Sequence, residues 1–242
     1  MLTAAALLRL TLRAETGNVK AQEDLVDEYF RKGASSDITS ALYWAKEAAR
    51  NGSAHGQYFL GHAYQDGLGC RKNLKKALAW FRRAARHGHA NAQSCLGYAY
   101  AEGLGVRRNL NRALFWDRRA AENRSALGAY NLGQVFAEGL GVKRDDRQAV
   151  DCWKKAASQA MAHAQCNLGR AYEVGCGVKA NSRLAVAWYR KAATQGDPVA
   201  QFNLGRCLSS GFGCRKNHRT ARKWLEKSAK GGFEDARGRI RQ

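Results

Sequence analysis

The chain has 242 residues, a single proline, 45% apolar residues and a formal charge of +21. That balance favours folded helix over disorder and implies attraction to acidic proteins, nucleic acids or anionic membrane surfaces. No apolar run approaches the roughly 18 residues a membrane span needs, and the early cluster Ala4 to Leu8 is broken at Arg9.

Met1 to Thr11 contains Leu, Ala, Thr and Arg but no acid. A secretory signal carries its positive charge ahead of the apolar stretch, and here the arginine follows it. A mitochondrial presequence has the same acid-free composition and stays open beside a cytoplasmic placement. Residues 1–52 also read as a capping helix followed by a degenerate repeat. Asp37, Trp44, Ala48, Ala49 and Gly52 stand 36 positions before Asn73, Trp80, Ala84, Ala85 and Gly88. With one loop residue deleted near Gly33, Ala6, Leu7, Ala14 and Gly17 fall on the last helix of a still earlier half-repeat.

Five full copies follow at a strict period of 36, over 53–88, 89–124, 125–160, 161–196 and 197–232. Such a period signals a solenoid or an array. Leu60, Leu96, Leu132, Leu168 and Leu204 are each followed by glycine, and a glycine pair recurs later in the same phase, as in Gly67/Gly69 and Gly175/Gly177. Asn73, Asn109, Asp145, Asn181 and Asn217 follow the pair, then an alanine, then Trp80, Trp116, Trp188 and Trp224, with Cys152 in the third copy.

Each unit reads as helix A, a short loop and helix B. Helix A runs over about 54–66 in the first copy, with Ser53, Ser125 and Asp197 at N-cap positions. Pro198 takes the first helical position, and Gly67 ends the helix in a left-handed residue. Asn73 and its equivalents cap helix B, which ends near Gly88. A glycine inside helix A costs about 1 kcal/mol relative to alanine, so repeating it five times implies a close helix approach. Tyr64, Tyr100, Phe136 and Tyr172 are expected to meet the helix B tryptophans in the core. Residues 233–242 start a truncated further repeat, with Ala236 and Ile240 in the alanine and leucine slots.

The pattern Ala-x-x-x-Leu-Gly-x-x-Tyr-x-x-Gly-x-Gly-Val, then Asn or Asp, then Ala-x-x-Trp-Tyr-x-Lys-Ala-Ala, fits Ala164 to Gly196 almost throughout. It closely resembles the Sel-1-like repeat, a relative of the tetratricopeptide repeat. The resemblance covers the five full copies. It implies an all-α fold, a right-handed α/α superhelical solenoid of tandem helix–turn–helix units with about twelve to fourteen antiparallel helices and no sheet. It further implies an adaptor or scaffold. Cysteine-rich members of the family staple the two helices of each repeat with disulfides. Here the seven cysteines are odd in number, and most occupy apolar slots of the repeat. They read as reduced thiols that act as small hydrophobes in those slots.

No catalytic residue, metal or cofactor is nominated. His55 and His62, even with Cys95, do not reach the three or four convergent ligands zinc needs. The Ser-x-x-Lys motif of β-lactam chemistry, to which some relatives have been linked, is absent. Gly-Leu-Gly lacks the strand context of a dinucleotide fingerprint.

Two surfaces remain. On helix A the seventh and tenth slots vary between copies and share one face. In the later copies they hold Asn131, Asn167 and Asn203, and Gln134, Arg170 and Arg206. Amides pair with an extended peptide backbone and arginine grips a carboxylate. The expectation is a concave groove that holds an acidic or carboxylate-bearing segment of a partner protein, as the tetratricopeptide grooves it resembles do. The alternative is a polyanion, nucleic acid or anionic lipid, on a basic ridge of the A–B loops: Arg71, Lys72, Arg107, Arg108, Lys143, Arg144, Arg215 and Lys216. Residues 1–52 balance seven basic against seven acidic residues, whereas 53–88 carry seven against one, so the charge belongs to the repeats.

Overall fold

The structure is a computed structural model that describes residues 2–33 and 35–236. Among these residues it is all helix, with no strand. The helices are α1 (Ala4–Glu15), α2 (Val19–Lys32), α3 (Ser35–Arg50), α4 (Ala54–Asp66), α5 (Leu74–Arg86), α6 (Ala90–Glu102), α7 (Leu110–Glu122), α8 (Ala126–Glu138), α9 (Asp146–Ser158), α10 (Ala162–Val174), α11 (Ser182–Thr194), α12 (Pro198–Ser210) and α13 (His218–Lys230). The chain divides into two compact units, 1–128 and 129–242. Ile240, expected in the leucine slot of a further repeat, lies outside the described residues.

The caps set the helix boundaries. Asn73, Asn109, Asp145, Asn181 and Asn217 each accept, through the side chain, the backbone N–H three residues on, at 2.9 to 3.0 Å. Each also donates its own N–H to a carbonyl near the end of helix A, as Asn181 does to Tyr172 at 2.8 Å. The A–B loop is thereby pinned at both ends. Ser53 and Asp197 cap α4 and α12 as expected, and Pro198 is the first residue of α12. Ser125 accepts the Gly128 N–H at 3.2 Å.

In the first unit α2 packs on α3, α4 on α5 and α6 on α7; in the second α10 packs on α11 and α12 on α13. The glycine inside helix A makes these approaches possible. A Cβ on Gly61 would lie 2.3 Å from Cε1 of Phe81, and one on Gly169 would lie 2.6 Å from the Tyr189 ring. Here the structure departs from the sequence reading. The glycine faces the residue after the tryptophan slot, which is apolar core in the first, fourth and fifth copies, with Phe81 2% exposed, Tyr189 1% and Leu225 4%, whereas the second copy has the buried Asp117 there and the third the half-buried Trp153. Trp80, Trp116, Trp188 and Trp224 are only half-buried. They lie one step further round helix B, and basic residues cover several of them: Lys191 sits over Trp188 at 4.2 Å and Lys227 over Trp224 at 4.6 Å. Tyr64 and Tyr100 instead meet Lys76, Arg82 and Arg112.

The second glycine of each pair has its own reason. Gly177, at φ +70°, brings its loop so close to α9 that a Cβ would sit 2.1 Å from the Asp146 carbonyl oxygen. A buried glutamine in the fifth slot provides a further tie between repeats. The side-chain amides of Gln93, Gln165 and Gln201 donate to Ala85, Ala157 and Ala193 at the end of the preceding helix B. Those are carbonyls a helix end leaves without intrahelical partners. Gln93 and Gln165 also accept from Asn123 and Gln195.

Candidate functional site

In the second unit the seventh and tenth slots of helix A lie together. Asn167 Nδ2 donates to Gln134 Oε1 at 2.9 Å, across neighbouring repeats. Asn167 and Gln134 thus brace one another as well as lining a face. Asn203 stands near Cys166, whose thiol burial pushes up to about 12 while Asn203 acts in the opposite sense. Asn131 is half-buried and has a partner of its own.

The two arginines differ. Arg206 donates to Glu173, which also accepts the Tyr189 hydroxyl at 2.6 Å. Burial pushes the Glu173 carboxyl up, but the hydrogen bonds from Arg206 and Tyr189 outweigh it and hold the group below its ordinary value. Burial likewise leads in raising the Tyr189 phenol, with Glu173 adding to it. Arg206 is therefore committed to an acceptor within the same molecule. Arg170, one repeat earlier, is exposed and makes no hydrogen bond or ion pair among the described residues.

A pocket of about 420 Å³ opens beside Arg170. Gln134 and Asn167 line it, together with Glu138, Arg144, Trp153 and Val174. Arg144 thus belongs both to the loop ridge and to this pocket, where it grips Asp146 with two hydrogen bonds of 2.9 and 3.1 Å. Trp153 is the third copy's tryptophan shifted by one position. It fills the core slot that Tyr189 fills in the fourth copy and lies against Gly133.

The ridge residues Arg71, Lys72, Arg107, Arg108, Lys143, Arg144, Arg215 and Lys216 are all exposed in the A–B loops. Arg108 is tied to the Ala101 carbonyl at 2.9 Å. In the first unit Arg82 and Arg112 converge on the Tyr100 hydroxyl at 3.0 and 3.3 Å. The histidines there form an aromatic cluster. Tyr58 stacks on His89 at 4.3 Å and meets His62 edge-on at 4.6 Å, and the Cys95 sulfur lies 3.8 Å from His62 Nε2. No group of three His, Cys, Asp or Glu side chains able to hold a metal occurs among the described residues. No helix among them is long and apolar enough to cross a membrane.

Sequence reasoning missed Glu173, Tyr189 and Trp153 as parts of this site. Glu173 occupies a slot held by Gln65, Ala101, Ala137 and Ser209 in the other copies, so no repetition marks it. The displacement of tryptophan from 152 to 153 was the one visible signal.

The Sel1 repeat matches at residues 28–53, 54–89, 90–125, 126–161, 162–197 and 198–233. The protein is similar to a solved protective antigen of uropathogenic Escherichia coli with the same repeat fold, at 34% identity and a TM-score of 0.82 over 97% of its own length, although it spans only 50% of that antigen. It is similar also to a Sel1 repeat protein from Oxalobacter formigenes, at 30% identity and a TM-score of 0.82, over 95% of its own length and 91% of the other. An immunity protein of Pseudomonas aeruginosa, at 17% identity and a TM-score of 0.61 over 86% of the present protein and 82% of the immunity protein, shares the fold. No curated protein matches the sequence. Sel1 repeat proteins are generally protein–protein interaction scaffolds, and this protein, matched over most of its length, belongs to the Sel1 repeat family.

Proposed function

We propose that the protein is a non-catalytic scaffold that holds an acidic or carboxylate-bearing segment of a partner protein on the helix A face of its later repeats. The observation that carries this reading is the pocket beside Arg170, where an amide pair and an unengaged guanidinium line one cavity. A guanidinium binds a carboxylate through two parallel hydrogen bonds, and side-chain amides complement the backbone that carries it. The charge of +21 favours encounter with acidic partners. The second reading, a polyanion along the loops, draws support from the exposure of all eight ridge residues.

Fluorescence anisotropy separates the two. The probes are an Asp/Glu-rich peptide, its Asn/Gln counterpart and a single-stranded oligonucleotide, each titrated at low and high salt. The scaffold reading expects the acidic peptide to bind and the double variant Asn167→Ala with Arg170→Ala to weaken it. Tight oligonucleotide binding with a steep salt slope, and no peptide binding, would move the function to the loops.

A further inference from the structure

The 36-residue period lets one repeat serve as a template for the next. In the fourth repeat a carboxylate is supplied from within: Glu173 accepts from Tyr189 on the following helix B and from Arg206 on helix A of the next repeat. Moved back by 36 positions, Glu173 becomes Ala137, Tyr189 becomes Trp153 and Arg206 becomes Arg170. The two donors are kept and the carboxylate is gone. The pocket opens at this place, lined by Ala137, Trp153 and Arg170 together.

Both donors lack an acceptor. Arg170 makes no hydrogen bond or ion pair among the described residues, and the buried indole N–H of Trp153 has no hydrogen-bond partner there. An unpaired buried donor such as this indole N–H is uncommon in a folded protein, because burial removes water without replacing it, whereas the exposed Arg170 guanidinium is met by water that a ligand would displace. The two other carboxylates on the pocket wall do not fill the gap. Asp146 is held by Arg144, and Glu138 is exposed and makes no hydrogen bond or ion pair among the described residues.

Resting on the scaffold reading above, we infer that this pocket is a carboxylate-binding subsite, in which one carboxylate of the partner takes the place that Glu173 fills in the next repeat and is held by Arg170 and the Trp153 indole N–H. The carboxylate comes from an Asp or Glu residue of the partner or from the partner's own C-terminus; the pocket chemistry is the same for both.

The test uses the full-length protein and three fluorescein-labelled heptapeptide pools. One has a central Asp or Glu and an amidated C-terminus, one has neutral residues throughout and a free C-terminus, and one is neutral and amidated. The first two pools report the two sources of carboxylate, and the third is expected not to bind. Ala137→Glu supplies the missing carboxylate in cis. It is expected to raise the melting temperature, to shift the Trp153 indole N–H resonance downfield in a nitrogen–proton correlation spectrum, and to weaken peptide binding at least about tenfold, the scale of a lost charge-assisted hydrogen bond. That resonance is assigned by its loss in Trp153→Phe. Arg170→Ala is expected to lose affinity to a similar degree without the downfield shift.

If Ala137→Glu folds by circular dichroism yet leaves the indole resonance and the affinity unchanged, the template argument is wrong. If acidic peptides bind but neither Ala137→Glu nor Arg170→Ala weakens them, this subsite is refuted while the scaffold reading stands on other residues. If no carboxylate-bearing pool binds better than the neutral amide, both fail.

Discussion

Replacing Gly169 by alanine opposes two effects of known size. In an exposed helix interior alanine is worth about 1 kcal/mol over glycine. At Gly169 the new Cβ would fall 2.6 Å from Cδ1 and Cε1 of Tyr189 and 3.1 Å from Cγ, well inside contact distance. The ring has little room to retreat, since Tyr189 is 1% exposed and its hydroxyl is held by Glu173 at 2.6 Å. Overpacking a filled core costs about 1–3 kcal/mol. The displaced ring also strains a hydrogen bond to a charged acceptor, so packing wins and a net loss of about 1–2 kcal/mol is expected. Urea unfolding followed by circular dichroism reads the change, provided the slope is unaltered. Ala187→Gly, at an exposed position in the middle of α11, calibrates the backbone term and should cost about 1 kcal/mol. A Gly169→Ala protein as stable as wild type, or more so, would refute the claim that a close helix approach explains the repeated glycine.

Tyr189→Ala should cost more than Trp188→Ala, about 3–5 kcal/mol for the buried ring against about 1–3 for the half-buried one; equal losses in urea unfolding would restore the tryptophan to the core. Gln93→Leu removes a buried amide that donates to Ala85 at 3.1 Å and accepts from Asn123 at 2.9 Å, and should cost about 1–3 kcal/mol, with faster amide exchange at the start of α6; unchanged exchange there would show that this tie is dispensable. Burial, with help from neighbouring His55, holds the His89 imidazole down at about 4, below its ordinary value of roughly 6.5. The unfolded polypeptide therefore binds a proton that the folded one refuses, and stability is lost as pH falls from about 6.5 towards 4. An imidazole titration by nuclear magnetic resonance that finds His89 at its ordinary value would contradict this.

The repeat made most of the fold legible. A period without insertions places caps, stops and loops, and in the first full copy the expected helix A over 54–66 coincides with Ala54–Asp66. What the period could not rank was burial within helix B. Trp188 and Tyr189 are adjacent and both aromatic, and which of them faces Gly169 depends on the rotation of helix B about its axis, a matter of roughly 100° per residue. The buried glutamines escaped notice because a polar residue in a core slot makes sense only once its carbonyl acceptor, supplied by the preceding helix, is in view. The candidate site was legible as a face, since Asn131, Gln134, Asn167, Arg170, Asn203 and Arg206 recur at two slots. Which arginine is already engaged was not, because Glu173 is a single departure from the pattern.

The scaffold reading is tested most directly by photo-crosslinking from the helix A face. A benzoylphenylalanine at Val174, which lines the pocket and is 65% exposed, is compared with the same group at Ala187, exposed on helix B. The expected result is a discrete protein adduct in cell extract from position 174, competed by excess acidic peptide but not by its Asn/Gln counterpart, and none from position 187. Adducts from 187 alone, or adducts from 174 that acidic peptide leaves untouched and nucleic acid removes, would contradict it.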